Sequence, residues 1–244
     1  DLHSYPTRRS SDLASGQTES LVVTEANLVR FKFIEMTQPE KERIVASYAV
    51  VIQNNTNIIE GTIVAHFDFQ NNTWAFTELV SESPLTSMDA TAFLASQTDV
   101  YALNIATAEA SSVRAPLAPN AYEPTNVYDR DLKTAWVEGA SDDGVGEYVR
   151  VYLDGTHKAS FIKIHNGYHK NQFLYEENHR PASIQISGGN GESMTYTFTD
   201  EMKENIIYLG EWTTDYIQIN ILSTFPGDDL MDTCITEIAV FGQR

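Results

Sequence analysis

The sequence predicts an all-β protein in which a C-terminal jelly-roll sandwich follows a small antiparallel-sheet domain of the α+β type. Runs of alternating apolar and polar residues, rich in β-branched and aromatic side chains, recur along most of the 244 residues. The connectors between these runs are short and rich in Asn, Gly and Asp, which favour tight turns. Beyond residue 111, no segment has the length and periodicity of a convincing helix.

Residues 1–13, DLHSYPTRRSSDL, match the translation of a common short-read sequencing adapter at all but one aligned position. We therefore expect this segment to be an adapter artefact, and we leave it out of the fold prediction. On this interpretation the true N-terminus, with any signal peptide or anchor, is missing.

Residues 14–108 are predicted to form a small antiparallel β-meander domain, truncated at its start if the segment before it is foreign. Two Asn-rich connectors, at 54–56 and 71–73, suit tight hairpins. A short helix is predicted over 83–96, with Ser87 or Asp89 as its cap. The strands are predicted at 27–35, 43–53, 57–70 and 73–80.

Residues 109–244 are predicted to form a sandwich of about eight strands, because short strand-like runs recur there with turn residues between them. A strand-like entry spans 105–112. The other predicted strands are 146–153, 160–168, 181–188, 194–200, 205–212, 215–225 and 234–242.

The composition excludes several classes of function. The formal net charge of −18 argues against binding to nucleic-acid phosphates and against unaided adsorption to anionic lipid. The single cysteine, Cys234, allows neither an intramolecular disulfide nor a cysteine zinc cluster. No apolar run reaches the roughly 18 residues of a membrane span, so no direct membrane span is expected in this fragment.

Two motifs stand out, one near the middle of the chain and one at its end. In Tyr122–Gly139, Asp129, Asp131 and Thr134 lie at positions i, i+2 and i+5 of a turn, and Trp136 follows them. In Asp232–Gly242, Glu237 lies within an alternating strand. Trp136 is predicted to be buried under the turn, since a large aromatic residue is rarely left free beside one.

These motifs belong to a pattern that extends over the whole second domain. The segment from about Ala106 to Phe241 resembles the discoidin-like domain, of the coagulation factor five/eight type C class, found in the NAD glycohydrolase translocation family. The matching pieces include Y-x-P-x-N-V-x-D-x-D-x-x-T-A-W-V-E-G (122–139), G-V-G-E (144–147), I-H-N-G-Y (164–168), N-x-R-P (178–181) and D-T-C-I-T-E-I (232–238). The resemblance implies a galactose-binding-like jelly roll, a module that binds glycans and recurs on the surface of Gram-positive bacteria.

The resemblance also implies a structural cation, which we expect to be Ca²⁺. Calcium takes six to eight oxygen ligands from carboxylates, carbonyls and hydroxyls in a bent loop. The implied ligands are Asp129, Asp131, Thr134 and Glu237. The alternative is that Asp129 and Asp131 only form the turn by bonding to their own backbone.

For the ligand surface, sugar recognition favours aromatic faces beside amides or forked donors. The segment after residue 164 is the densest in such residues, and Phe225 lies in a second loop. The alternative is that the two tyrosines pack against the end of the sandwich while the other side chains brace the loop. The predicted ligand contacts are His165, Tyr168, Tyr175, Asn178, Arg180 and Phe225.

The leading hypothesis is therefore a non-catalytic, extracellular or cell-surface protein that binds host or cell-wall glycan. Glu138 and Glu147 could suggest acid–base chemistry, but carboxylates beside glycines more often bond loop amides. An accessory part of an NAD glycohydrolase is disfavoured, because the residues before the module show no catalytic triad, phosphate loop or metal cluster. A structural or protein-partner-binding role in a membrane-anchored protein remains open on sequence alone.

Overall fold

The protein folds into two compact units, Asp1–Asp89 and Ala90–Arg244. The structure, a computed structural model, describes residues 5–9, 21–23, 28–81 and 84–243. Each unit is built around its own β-sheet, as the predicted all-β class requires.

The N-terminal unit is a seven-stranded sheet with the order β2-β1-β6-β5-β4-β3, and β7 pairs with β5. Neighbouring strands are antiparallel except β1 and β6. The four predicted meander strands correspond to β3 to β6, and β3 extends to Glu40, five residues beyond its predicted end. The strands are β1 (Tyr5–Arg9), β2 (Leu21–Val23), β3 (Leu28–Glu40), β4 (Arg43–Asn54), β5 (Asn57–Gln70), β6 (Thr73–Ser81) and β7 (Thr86–Asp89).

The hairpins close as the Asn-rich connectors predict. Asn55 has a φ of 50°, and Asn71 and Asn72 have φ values of 50° and 62°. Asn tolerates this left-handed region better than other non-glycine residues, which makes the two-residue turns possible.

The segment predicted as a helix over 83–96 is a strand followed by a shorter helix, α1 (Ala90–Ser96). The β5–β6 pairing ends at Ile63 and Ser81, which leaves the start of β5 without a partner on that side. Thr86–Asp89 fills this position by pairing with residues 57–60. Pairing of backbone groups along an available edge has prevailed over local helix propensity here.

The C-terminal unit is an eight-stranded sheet with the order β10-β15-β11-β14-β12-β13. β8 and β9 pair with β15 and β11, and β12 also runs parallel to β15. Its elements after α1 are β8 (Val100–Ala102), β9 (Ile105–Ala110), a 3₁₀ helix (Pro124–Tyr128), β10 (Trp136–Val137), β11 (Tyr148–Asn166), α2 (Gln172–Glu177), β12 (Asn178–Gly188), β13 (Ser193–Thr197), β14 (Glu204–Phe225) and β15 (Leu230–Gln243).

Two long strands each take the place of two consecutive predicted strands. β11 covers the predicted strands 146–153 and 160–168, and β14 covers 205–212 and 215–225. Register shifts in the β11–β14 ladder, between Tyr152 and His157 and again between Ala159 and Phe161, bend the strands without breaking them. Irregularities of this kind turn a continuous strand around a sandwich.

The C-terminal unit begins earlier than the predicted boundary at 108/109. β8 and β9 pair with β15 and β11, so the residues from 100 onward hydrogen-bond to the second sheet. β9 lies within the predicted entry strand 105–112, whereas β8, with only three residues, carries a weak sequence signal. The expectation about residues 1–13 concerns the source DNA, and it stays a prediction.

The core of the C-terminal unit lies on the inner side of its sheet. Val149, Val151, Ile217 and Ile219 are fully buried and alternate with partly exposed polar or aromatic residues. Burial of each such side chain contributes about 1.5–3 kcal/mol. In the part of the chain that the structure describes, no helix is long and apolar enough to cross a membrane.

Candidate functional site

The turn that carries Asp129, Asp131 and Thr134 is held by its own hydrogen bonds. The Asp129 carboxylate accepts the Asp131 N–H at 2.8 Å and the Thr134 hydroxyl at 2.7 Å. The Thr134 hydroxyl also lies 2.9 Å from the Asp131 carbonyl oxygen. The Asp131 carboxylate accepts the Lys133 N–H at 3.0 Å. The structure therefore shows the turn-forming role that the sequence left open as an alternative.

Glu237 joins this turn from β15, so the two sequence motifs meet. Arg130 has a φ of 64°, and its N–H lies 3.2 and 3.3 Å from the two Glu237 carboxylate oxygens. Burial, with a smaller contribution from the charge of nearby Asp129, raises the pKa of Glu237 to about 7. β10 pairs with β15 beside this point, with Trp136 opposite Ile235.

Within the described residues, no three His, Cys, Asp or Glu side chains come together closely enough to hold a metal ion. A calcium site does not require three such side chains, since carbonyl and hydroxyl oxygens also serve as ligands. The four predicted ligands do lie around one turn, which fits an oxygen-rich site. The calcium prediction therefore stays a prediction.

Trp136 is fully buried, as predicted. Its indole N–H donates to the Ser112 carbonyl at 2.9 Å, which satisfies the only polar atom of the ring. Cys234 is also completely buried, and burial raises the pKa of its thiol well above the usual range.

Glu138 and Glu147 act as loop braces, as the sequence analysis interpreted them. The Glu138 carboxylate accepts the N–H groups of Ala140 at 2.6 Å and Thr233 at 3.1 Å. Glu147 accepts the hydroxyls of Ser111 and Ser112. Burial raises the pKa of Glu138.

The loop predicted to contact ligand is folded inward. Tyr168, Tyr175, Asn178 and Arg180 are 6%, 2%, 4% and 7% exposed. The predicted contacts His165 and Phe225 are partly exposed. The four buried side chains have no free face for a ligand in this structure, so their predicted contact role does not agree with their positions.

Arg180 shows why these side chains are buried. Its guanidinium forms two hydrogen bonds to the Asp200 carboxylate, at 2.6 and 2.7 Å. It also donates to the carbonyls of Asn178 and Pro226, both at 3.2 Å. A forked donor that ties three chain segments together braces the loop, which is the alternative the sequence left open.

A row of aromatic rings and one guanidinium in contact fills the interior of the loop. The His169 ring lies 4.9 Å from that of His165 and 5.5 Å from that of Tyr175, both edge-on. The Arg180 guanidinium lies 4.8 Å from the Tyr175 ring centroid and 5.9 Å from that of Phe225. Contacts of this kind stabilise each pair by about 0.5–2 kcal/mol.

Gly167 of the H-N-G-Y motif is required by this packing. Its φ of 86° lies in the left-handed region, and a Cβ there would come within 2.7 Å of the Tyr175 ring. The motif therefore serves the folding of the loop.

A different surface combines exposed aromatic rings with amides and a forked donor, the features expected of a sugar-binding site. It lies on β11 and β14, on the side opposite the core, and we call it the polar–aromatic face. Tyr152 and Tyr216 are opposite each other in the register, and so are Arg150 and Gln218. All of its members are partly exposed. The face is defined by Tyr148, Arg150, Tyr152, Tyr216, Gln218 and Asn220.

Arg150 is the centre of this face. Its guanidinium lies 4.8, 5.5 and 5.7 Å from the ring centroids of Tyr216, Tyr148 and Tyr152. It donates to Gln218 at 2.8 Å and to Glu109 at 2.8 Å.

The amides extend the network across the sheet. Gln218 donates to Asn220 at 2.7 Å, and Asn220 donates to Gln185 of β12 at 3.4 Å. A line of polar groups thus spans β9, β11, β14 and β12, with tyrosine rings beside it.

The alternation of the sequence contains the signal for this face. In GEYVRVYL the positions facing away from the core are Tyr148, Arg150 and Tyr152, and in DYIQINIL they are Tyr216, Gln218 and Asn220. A solvent-facing strand side needs no tyrosine for solubility, so repeated tyrosines there are a usable signal. The predicted ligand contacts, which lie mainly in loops, do not include these residues.

A family model described as the NAD glycohydrolase translocation F5/8 type C domain matches residues 100–241, which is more than half of the chain. The chain belongs to this family. The match confirms the resemblance drawn from the motifs and the jelly-roll class of the C-terminal unit. No match was found among the curated proteins.

Several solved structures are similar to the chain. One is the CBM32 of AlyQ in complex with 4,5-unsaturated mannuronic acid, at 20% identity and a TM-score of 0.41, covering 57% of this chain and 97% of that one. Another is the family 32 CBM from C. perfringens NanJ in complex with galactose, at 18% identity and a TM-score of 0.43, covering 58% and 98%. A third is a chitosan-binding module from a Paenibacillus sp. IK-5 chitosanase/glucanase, at 20% identity and a TM-score of 0.41, covering 57% and 96%.

Proposed function

We propose that the C-terminal unit binds carbohydrate without transforming it, and that the protein acts outside the cell or on its surface. The observation that carries the proposal is the polar–aromatic face. Three tyrosine rings surround the Arg150 guanidinium of β11, and two side-chain amides lie beside it on β14. Membership of a family of F5/8 type C domains supports a binding role.

The chemistry of this face suits a sugar. The apolar C–H face of a pyranose stacks on a tyrosine ring, while its hydroxyls bond to amide and guanidinium groups beside the ring. Strands hold such groups more rigidly than loops do, so little conformational entropy is lost when the ligand binds. No catalytic step is part of the proposal, since Glu138 and Glu147 are bonded to loop groups.

The test is binding of the full chain to an array of bacterial and host glycans, followed by titration of the best hit. Tyr152→Ala and Tyr216→Ala are each expected to weaken glycan binding tenfold or more, because each removes from the polar–aromatic face a ring on which a sugar can stack. A tenfold loss corresponds to about 1.4 kcal/mol.

Phe173→Ala is the matched control. Phe173 is 65% exposed in α2, beside the loop that the sequence analysis favoured. Binding that survives Phe173→Ala but not Tyr216→Ala supports the polar–aromatic face. The reverse pattern would move the site to the loop, and an array without hits would contradict the function itself.

We also propose a structural Ca²⁺ at the turn formed by Asp129, Asp131 and Thr134, with Glu237 closing the site. The cation would compensate the half-buried Glu237 carboxylate, which accepts the Arg130 main-chain N–H among the described residues. Its role would be to fasten β15 to the turn that precedes β10.

Added Ca²⁺ is expected to raise the melting temperature of the protein. Saturation at 100 times the dissociation constant stabilises a fold by about 2.7 kcal/mol, which raises the melting temperature by roughly 5–10 °C for a domain of this size. Glu237→Gln should abolish the rise, while Asp215→Asn, which neutralises an exposed carboxylate on β14, should retain it. Equal melting curves in millimolar Ca²⁺ and in chelator would contradict the site.

A further inference from the structure

Strands β3 to β6 of the N-terminal sheet share one face without charge. In β4 the even-numbered residues from Ile44 to Ile52 share a face because side chains alternate along a strand. Directly paired residues also share a face, which places Phe31 opposite Val50 and Phe33 opposite Tyr48 on this side. In β5 and β6, Phe67 pairs with Phe76 and Phe69 pairs with Trp74.

The charged residues of the same strands lie on the other face. Lys32 pairs with Ala49, Glu35 with Ser47 and Arg43 with Asp68, all through odd-numbered positions of β4. Within the described strands β3 to β6, no charged residue occupies a register position on the even-numbered side.

The centre of this face is buried, with Val50, Ile52 and Ile63 only 0–3% exposed, whereas its rim is open to solvent. Its exposed members, which we call the aromatic face, are 38–62% exposed. Phe31 stacks on Tyr48 at 4.3 Å between centroids, and Phe69 lies 5.2 Å from Trp74. The aromatic face consists of Phe31, Phe33, Met36, Phe69, Trp74 and Phe76.

The exposed area matches what a dimer requires. Each of the six side chains has a total surface of ~200 Å², so at these exposures together they leave on the order of 500 Å² of apolar surface in contact with solvent. This area lies at the upper end of the size range for the largest apolar patch on a soluble monomer. A standard interface buries ~800 Å² per partner, and homodimer interfaces are about 65% apolar. The apolar part of such an interface is thus also on the order of 500 Å².

We propose that the aromatic face is the interface of a homodimer, in which the exposed aromatic rims of two N-terminal sheets pack against each other. The chain carries a net charge of −18, so two copies repel each other over most of their surface. The aromatic face is free of this repulsion because it holds no charge. Apposition of the same patch on both subunits gives a closed twofold interface and buries the exposed rings between the two subunits.

The test is the molar mass of the full chain, measured by analytical ultracentrifugation. Protein concentrations of roughly 1–100 μM detect a dimer whose dissociation constant lies in the micromolar range. Wild-type protein is expected to dimerise in this range. Phe33→Glu should weaken the dimer by 100-fold or more, because it places two carboxylates in the interface. Thr37→Glu adds the same charge to the opposite face of β3, and it should dimerise like the wild type.

The outcomes are decisive in both directions. A wild-type monomer at 100 μM, whether the face is bare or covered by another part of the chain, overturns the proposal. So does a Phe33→Glu dimer with an unchanged circular dichroism spectrum. If Phe33→Glu unfolds, Phe76→Ser replaces it, and its dissociation constant must still rise at least tenfold. This proposal stands on the N-terminal sheet alone, so a failure of glycan binding does not affect it.

Discussion

Replacing Tyr175 by alanine is expected to lower the free energy of unfolding of the C-terminal unit by about 3–5 kcal/mol. Tyr175 is 2% exposed, and its ring lies between the His169 ring and the Arg180 guanidinium. Removal leaves a cavity that neither neighbour can fill, since Arg180 is fixed by Asp200. Chemical denaturation followed by tryptophan fluorescence measures the loss.

Phe173→Ala provides the control for this prediction. Phe173 and Tyr175 both lie in α2, but Phe173 is 65% exposed. We expect its replacement to change the unfolding free energy by less than about 0.5 kcal/mol. If the two variants lose equal stability, Tyr175 does not have the packing role described here. If Tyr175→Ala keeps full stability but loses binding, the original contact prediction for Tyr175 regains support.

Acidification from pH 6.5 to pH 4 is expected to destabilise the C-terminal unit through His169. Burial lowers the pKa of His169 to about 4, and the ring bonds the Asn166 carbonyl through Nε2 at 2.9 Å. In the unfolded chain the imidazole takes up a proton below its ordinary pKa of about 6.5. Between these values the unfolded state binds more protons, so stability falls as the pH falls. The difference amounts to about 3 kcal/mol over this window.

The contribution of His169 is isolated by comparison with His169→Gln, which cannot take up a proton. Burial also lowers the pKa of the neighbouring His165, which acts in the same direction. The raised pKa values of Glu138 and Glu237 act in the opposite direction, because these carboxyls hold protons more tightly in the folded state. The quantity to measure is therefore the difference in pH dependence between wild type and variant. Parallel curves for the two proteins would show that His169 does not titrate as described.

Much of the fold could be predicted because strand alternation and turn chemistry are local signals. The β-branched runs of β4 and β5 and the asparagines between them specify that hairpin without knowledge of the rest of the chain. The meeting of Asp129 with Glu237 was also predicted, but through a family pattern that spans the domain. Elements that depend on a distant partner were missed, such as β7, which forms because β5 has an unpaired edge.

The candidate site was harder to predict because residue type does not tell which way a side chain points. Tyr175 and Arg180 have the chemistry of sugar-binding residues, yet the turn at Gly167 and the ion pair with Asp200 direct them inward. Tyr152 and Tyr216 have the same chemistry, and the regular alternation of their strands directs them outward. In a strand the direction follows from parity, whereas in a loop it depends on contacts that the sequence does not display.

The pairing of β15 has a consequence for how the protein is made. This strand forms ladders with β8, β10, β11 and β12, so it completes contacts with segments distributed along the whole C-terminal unit. Until Gln243 has left the ribosome, β11 lacks one neighbour and β10 lacks its only partner among the described strands. Contacts of such high sequence separation slow folding. We therefore expect the C-terminal sheet to keep an open edge at β11 until β15 has emerged and paired with it.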